Sequence, residues 1–146
     1  MLKIPESIKL IIADFDGVMT DNCIYIDEKL SFSRKLNFKD IMAVSRLRRA
    51  GYEIIFVSGE NNPVIDLLAE KFKMEENYQD IRNKLEVVKQ IVEKHNLKSD
   101  EYLYMGDDIN DTDSLKFAKI RITVPNAVKS VKKIGGIQIT ENPGGS

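Results

Sequence analysis

Short runs of apolar residues alternate along the chain with segments whose apolar residues recur at helical spacing. The runs at 8–13, 53–57 and 102–105 are nearly continuous, and each ends directly before polar residues. Continuous runs of this length are typical of parallel strands, which are buried on both faces of a sheet. Two further strand candidates lie at 120–124 and 137–139.

Helical segments lie between these strand candidates. Residues 40–50 have apolar positions at helical spacing, and Gly51 follows where a helix terminator belongs. Asn62 and Pro63 form a typical helix start, with the Asn as N-cap and the Pro at the first helical position. One stripe of a further helix is formed by Leu85, Val88, Ile91 and Val92.

This order of elements predicts an α/β fold with a doubly wound (Rossmann-like), mostly parallel sheet and helices on both faces. Ligands of such sheets bind beyond the carboxyl ends of the strands. Polar residues collect at those ends, including Asp14, Ser58 and Asp107. We therefore expect a functional site at that edge of the sheet.

One segment departs from the alternation. Residues 22–37 are too few for a helical crossover and carry apolar residues on both sides of a polar turn at 27–29. The pattern predicts a β-hairpin that projects from the strand-end edge. Its apolar side chains would need a partner in a second copy of the chain. The alternative is that the hairpin folds back on its own domain.

Composition narrows the class of protein. The chain has 146 residues, of which 42% are hydrophobic, and this predicts one globular domain over residues 1–146. The 22 basic and 23 acidic residues argue against a duplex-coating protein, although a local basic patch stays open. The single Cys23 and single His95 exclude a disulfide scaffold and Cys- or His-rich metal sites. Because the apolar stretches are short and no leader segment is evident, we expect a cytoplasmic protein without membrane or nucleic-acid partners.

Carboxylates are the most informative residues. Asp14 and Asp16 follow the first strand candidate, and Asp107, Asp108 and Asp111 follow the third. Each group has an ordinary explanation, because Asp-Gly is turn chemistry and Asn110 or Asp111 could cap the helix that runs toward Phe117. If the two strands are neighbours, however, the negatively charged carboxylates come close together, and a cation is needed to offset their repulsion. Oxygen-only ligands favour Mg²⁺.

Two other positions fit the same chemistry. Ser58 offers a hydroxyl at a strand end, and the backbone N–H of Gly59 lies beside it. Lys84 opens a helix, where a cation is unfavourable against the helix dipole. A plain turn at 58–59 and a solvated lysine are the alternatives.

Taken together, these motifs resemble those of the haloacid dehalogenase superfamily. The matching positions, in chain order, are residues 14–18, Ser58, Lys84, residues 106–108 and Asp111. The chain has a hairpin where many members have a cap domain. In this it resembles the branch of 3-deoxy-D-manno-octulosonate 8-phosphate phosphatases, nonulosonate 9-phosphate phosphatases and the phosphatase-like domain of sialic acid cytidylyltransferases.

The resemblance implies a Mg²⁺-dependent phosphatase with no cap domain. Asp14 would be the nucleophile that forms an aspartyl phosphate, and Asp16 the general acid and base. Mg²⁺ would be held by Asp14, Asp107 and the backbone carbonyl of Asp16. Ser58 and Lys84 would hold the phosphoryl group.

Other positions receive supporting roles from the same resemblance. Gly59 would lie beside the phosphoryl group, and Asp108 and Asp111 would orient metal-bound water or Lys84. The expected assembly is a homotetramer.

Glu60 departs from the octulosonate branch, which commonly has an arginine directly after the Ser/Thr-Gly pair. The chain also has Lys39-Asp40-Ile41 where that branch commonly has Arg-Asp-Gly, and the sequence stops at Ser146, where family members often continue with a basic tail. Glu60 favours hydrogen bonds to sugar hydroxyls or an amide, and hence a nine-carbon sugar acid 9-phosphate over the eight-carbon 8-phosphate. Alternatively, Glu60 only caps the helix that begins near Pro63.

Three other functions are weighed against a phosphatase. A receiver domain has a similar sheet, but its phosphoacceptor follows the third strand. A phosphomutase would need a cap. A non-catalytic oligomerisation module, related to the cytidylyltransferase domain, is the main alternative.

Overall fold

Five short strands pair in parallel and form the central sheet. The computed structural model describes residues 1–146, in which the sheet order is β4-β1-β5-β6-β7 and β2 pairs with β3 in a separate antiparallel ribbon. The strands are β1 Leu10–Ala13, β2 Tyr25–Ile26, β3 Phe32–Ser33, β4 Glu53–Phe56, β5 Tyr102–Met105, β6 Ile120–Thr123 and β7 Gln138–Ile139. The predicted doubly wound parallel sheet is thus confirmed.

Helices cover both faces of this sheet. They are α1 Phe38–Arg49, α2 Pro63–Phe72, α3 Lys84–Lys94, α4 Thr112–Phe117 and α5 Lys129–Lys132, and a 3₁₀ turn at Ile109–Asp111 precedes α4. One face packs under α3, α4 and α5, and the other under α1 and α2. Because both faces are covered, the central strands β1 and β5 consist of continuous apolar runs.

Strand β1 lies at the centre of the sheet. It pairs with β4 on one side and β5 on the other, with Ile12 opposite both Ile55 and Tyr104. All three of these side chains are buried. This pairing brings the loops that follow β1, β4 and β5 to one edge.

Asparagine caps begin the three long helices. The side chains of Asn37, Asn62 and Asn83 accept hydrogen bonds from the first turns of α1, α2 and α3. Pro63 occupies the first turn of α2, as the sequence predicts. Gly51 follows α1 with φ +93°, a left-handed conformation that favours glycine.

The hairpin formed by β2 and β3 projects from the sheet. An antiparallel bridge between Thr20 and Leu36 closes its base. Its apolar side chains are largely exposed, from 49% at Tyr25 to 74% at Leu30. The alternative that the hairpin folds back on its own domain is therefore wrong.

No cap domain interrupts the sheet. The β1–β4 connection holds only the hairpin and α1, and the β4–β5 connection holds only α2 and α3. The short helix α5 was not predicted, because a single turn has too few residues to show a periodic pattern. No helix is long and apolar enough to cross a bilayer.

Candidate active site

The site forms where the chain changes direction in the sheet. From β1 the chain passes to β4 on one side, and it later returns to β5 on the other side of β1. The loops after β1 and β5 diverge at such a point and leave a crevice at the carboxyl ends of the strands. Asp14 follows β1 and Asp107 follows β5, so both lie at this edge of the sheet.

Lys84 lies beneath the crevice as a buried cation. Its Nζ is 2.8 Å from Asp14 Oδ1 and 2.8 Å from Asp111 Oδ1, and its side chain is fully buried. The predicted helix start at Lys84 is confirmed, with Asn83 as the cap. Placing a cation at this end of α3 is unfavourable for the helix dipole, and the two carboxylates offset that cost.

The side chain of Asp111 accepts hydrogen bonds from four donors. Its Oδ1 accepts hydrogen bonds from Lys84 Nζ and from Tyr104 OH at 2.7 Å. Its Oδ2 accepts from the backbone N–H groups of Asp107 and Asp108 at 3.1 and 3.2 Å. Both oxygens are thus occupied, and Asp111 fixes Lys84 and the loop after β5 in place.

Two glycines make room for this packing. A Cβ on Gly17 would lie 1.9 Å from Asp107 Oδ2, and Gly17 also has φ +92°. A Cβ on Gly106 would lie 2.5 Å from Asp111 Cγ. Any larger residue at either position would push the carboxylates out of the cluster.

Burial shifts the protonation of the cluster. Burial and then the charge of Asp111 raise the pKa of Asp14 to about 8, although Lys84 opposes this. Burial, Asp111 and Asp108 raise the pKa of Asp107 to about 7. Burial would lower the pKa of Lys84, but the charges of Asp14 and Asp111 outweigh it and raise that pKa. The ammonium therefore stays charged, while burial and the neighbouring carboxylates hold the pKa values of Asp14 and Asp107 above the ordinary range of a carboxyl group.

The same carboxylates fit a divalent cation. Asp14, Asp107 and Asp111 each offer an oxygen, and these atoms lie within 4.8 Å of one another. Because Asp111 is occupied by protein donors, Asp14 and Asp107 are the side chains left to bind a metal. Asp107 Oδ1 is buried and has no hydrogen-bond partner, as expected of an oxygen reserved for a ligand. Oxygen-only donors suit Mg²⁺.

The side chain of Asp16 points away from this cluster. Its Oδ1 is 3.0 Å from Arg34 Nε and accepts a hydrogen bond from Thr20 Oγ1 at 3.2 Å. Arg34 comes from the hairpin side of the site. For Asp16 only the backbone carbonyl is expected to bind a metal. Its side chain belongs to the cavity lining, and its Oδ2 is buried without a hydrogen-bond partner.

Ser58 and Gly59 lie across the crevice, after β4. The Ser58 side chain is buried, and its Oγ accepts from the backbone N–H of Glu60 at 3.2 Å, which leaves the hydroxyl proton free to donate. The backbone of Ser58 is tied to Tyr78 O at 2.9 Å and to Ile81 N at 3.1 Å. These bonds hold the serine in a fixed orientation.

A polar cavity of about 440 Å³ opens above these residues. Only one hydrophobic residue lines it, and its lining residues are Asp14, Asp16, Asn22, Ser58, Gly59, Glu60, Ile81, Arg82, Asp108 and Asn110. Glu60 belongs to this wall, and Asn62 caps α2, so the capping alternative for Glu60 is wrong. Asp108 also borders the cavity, but its carboxylate accepts from Ile109 N at 2.6 Å and does not contact Lys84.

Several residues of the site lie outside the predicted motifs, and four of them are polar side chains at or beside the cluster and cavity: Arg34, Arg82, Tyr104 and Asn110. Tyr104 could be identified from the sequence, because its hydroxyl falls within the apolar run of β5 and a buried O–H group needs a hydrogen-bond partner. The other three occupy ordinary loop and hairpin positions, where the sequence offers no such signal.

Comparison with known proteins finds several that are similar to this chain. A family model described as haloacid dehalogenase-like hydrolase matches residues 78–144. The 3-deoxy-D-manno-octulosonate 8-phosphate phosphatase of Escherichia coli is 24% identical over 122 residues, which are 84% of this chain and 65% of that enzyme. The chain thus spans about 65% of the length of this curated relative.

Two further proteins are similar over most of the chain. The crystal structure of 3-deoxy-D-manno-octulosonate 8-phosphate phosphatase from Moraxella catarrhalis, in complex with a magnesium ion, a phosphate ion and a KDO molecule, has a TM-score of 0.88 at 23% identity. The match covers 97% of this chain and 80% of that one. The N-acylneuraminate cytidylyltransferase of Oncorhynchus mykiss is 28% identical over 120 residues, 78% of this chain but 27% of that protein.

Proposed function

We propose that this chain is a haloacid dehalogenase-like phosphatase, a Mg²⁺-dependent phosphomonoesterase that acts on a small phosphorylated sugar acid. The observation that carries the proposal is the buried ion pair of Asp14 and Lys84 at the floor of a polar cavity. A carboxylate held by a buried ammonium beside a cation-fitting cluster is suited to attack phosphorus, because neighbouring positive charge lets two anions meet.

In this proposal Asp14 is the nucleophile and forms an aspartyl phosphate. Its carboxylate oxygen bonds to phosphorus as the bond from phosphorus to the sugar oxygen breaks, and Asp16 gives its proton to that oxygen. Water then attacks the phosphoenzyme, Asp16 takes the water proton, and the bond between Asp14 and phosphorus breaks. The position of Asp16 in the cavity lining supports this role.

The other predicted residues hold the phosphoryl group and the cation. Ser58 Oγ and the Gly59 N–H would donate to phosphoryl oxygens, and Lys84 would balance the charge that develops between Asp14 and the phosphate. Asp14, Asp107 and the carbonyl of Asp16 would hold Mg²⁺. The bound ion would polarise the phosphoryl oxygens and neutralise the carboxylates. The magnesium and phosphate ions in the Moraxella catarrhalis structure support this assignment.

Phosphate release from p-nitrophenyl phosphate tests the proposal. We expect hydrolysis with Mg²⁺, loss of hydrolysis in excess EDTA, and recovery when Mg²⁺ is restored. The alternative function, a non-catalytic module like part of a cytidylyltransferase, is supported by the similarity to the Oncorhynchus mykiss protein. No hydrolysis with any divalent cation would favour that alternative.

Glu60 bears on the substrate. Its carboxylate lines the cavity next to Ser58 and Gly59. There it would accept hydrogen bonds from hydroxyl or amide groups and repel a carboxylate. We therefore propose a nine-carbon sugar acid 9-phosphate in preference to the eight-carbon octulosonate 8-phosphate.

The kcat/KM ratio of these two substrates checks the preference, with Glu60→Arg as the variant. We expect a wild-type ratio above one and a shift toward the eight-carbon substrate in Glu60→Arg. A wild-type preference for the eight-carbon substrate that Glu60→Arg does not change would contradict the role of Glu60.

Assembly and location are proposals of a different kind. We propose a homotetramer in which hairpins from neighbouring copies wall the sites, supported by the exposed apolar side chains of the hairpin. The cytoplasmic location and the single-domain organisation stay predictions.

A further inference from the structure

Arg82 is the single cationic residue that lines the cavity. Four carboxylates share the lining, those of Asp14, Asp16, Glu60 and Asp108. The other cation of the site, Lys84, is buried beneath with its ammonium held by Asp14 and Asp111. An anionic group that enters the outer cavity thus meets one cationic partner.

The guanidinium of Arg82 is free, although its backbone is held in place. The side chain is exposed and takes part in none of the ion pairs of the structure. On one side of it, Ile81 N donates to Ser58 O at 3.1 Å. On the other side, Asn83 caps α3. Arg82 is therefore fixed at the cavity wall with its hydrogen-bond donors available to a ligand.

A phosphorylated sugar acid carries two anionic groups. Its phosphate belongs at the floor, where Ser58, Lys84 and the cation site lie. Its carboxylate must then lie in the outer cavity, where the surrounding carboxylates repel it. The planar fork of an arginine matches a carboxylate in a bidentate arrangement and offsets this repulsion.

We propose that Arg82 binds the substrate carboxylate and makes the site selective for sugar acid phosphates over neutral sugar phosphates. This inference rests on the proposed function for the identity of the ligand. With Glu60 on the same wall, the two residues would orient the substrate, because Arg82 attracts the carboxylate and Glu60 favours hydroxyl or amide groups.

The test compares Arg82→Gln and Arg82→Lys with the wild type. Arg49→Gln is the matched control, because Arg49 is exposed at the end of α1 and does not line the cavity. The substrates are the eight- and nine-carbon sugar acid phosphates and glucose 6-phosphate. In Arg82→Gln we expect the kcat/KM ratio of sugar acid phosphate to glucose 6-phosphate to fall ~10–100-fold, mainly through KM. The kcat/KM ratio of Arg82→Lys should lie between those of the wild type and Arg82→Gln, and the ratio of Arg49→Gln should match that of the wild type.

An equal fall in kcat/KM for all substrates would show that Arg82 binds phosphate. Unchanged kcat/KM values for all substrates would show that Arg82 binds neither group. Both results overturn the inference. Calorimetry with the free, unphosphorylated eight-carbon sugar acid separates this inference from the proposed function. If no ester is hydrolysed, the phosphatase proposal fails. The proposed role of Arg82 is still supported if the wild type binds the free acid and Arg82→Gln binds it at least ~10-fold more weakly. If the wild type does not bind the free acid, the inference fails.

Discussion

The buried cluster around Lys84 and the hairpin of β2 and β3 lie at the same edge of the sheet. They differ in how their side chains are stabilised. The Lys84 side chain is fully buried and balanced by neighbouring carboxylates, whereas Leu30 at the hairpin turn is 74% exposed. Charged groups are thus inside and apolar groups outside, the reverse of the usual distribution. The cluster fits a divalent cation, and the proposed tetramer would cover the apolar side chains of the hairpin.

Arg34 connects the two regions. It lies just after β3 and pairs with Asp16 at 3.0 Å, so the hairpin supplies a charge to the site. A movement of the hairpin would therefore change the surroundings of Asp16. The Lys84 cluster has no such link, because its partners come from β5 and the loops after β1 and β5.

The largest expected effect is on Asp14. Asp14→Asn removes the attacking carboxylate and a metal side chain together, so Mg²⁺-dependent hydrolysis of p-nitrophenyl phosphate should fall below detection. Asp113→Asn is the matched control, because Asp113 is exposed in α4 and should keep wild-type turnover. Circular dichroism would show that both variants are folded. Full turnover by Asp14→Asn would contradict the proposed mechanism.

The fold and the cluster differ in how far the sequence predicts them. The parallel sheet was predictable because both faces of β1 are covered, which requires an uninterrupted apolar run from Leu10 to Ala13. The position of Lys84 at the start of α3 followed from the local helix signal. The chemical roles of Asp14, Ser58 and Lys84 came from the resemblance to a family, since each residue alone also has an ordinary explanation.

Contacts between distant segments set the limit of sequence prediction. Arg34 meets Asp16 only because the hairpin turns back toward the crevice. Arg82 enters the cavity wall because Ile81 bonds to Ser58, 23 positions earlier in the chain. Neither contact leaves a periodic or local pattern in the sequence, so tertiary structure was needed to find them.

A variant of the hairpin should have an effect of intermediate size. Phe32→Asp places a charge on its exposed apolar surface, and burial of that charge between copies is unfavourable. If hairpins hold a tetramer together, light scattering should show a loss of mass toward the 16.7 kDa monomer. Ser31→Asp is the control, since it adds the same charge beside Phe32 without removing an apolar side chain. A wild type that is already monomeric would contradict the proposed assembly.

The smallest expected effect, a shift in thermal stability with pH, tests whether the cluster is completed by a cation. Folding raises the pKa of Asp14 to about 8 and that of Asp107 to about 7, from 3.8. In the metal-free protein their contribution to stability is therefore fully present below pH 3.8 and is lost as the pH rises through 7 to 8. A bound cation favours the ionised forms, so Mg²⁺ should stabilise the protein more at pH 8.5 than at pH 6.

Melting curves at both pH values, with and without Mg²⁺, measure this difference. We expect saturating Mg²⁺ to raise Tm by ~5–10 °C at pH 8.5 and by less at pH 6. Asp107→Asn should lose most of the Mg²⁺-induced shift, and Asp113→Asn should keep it. Other titrating groups contribute equally with and without Mg²⁺, so the difference isolates the cluster. An equal Mg²⁺ shift at both pH values, or one that survives in Asp107→Asn, would mean that the cation binds elsewhere.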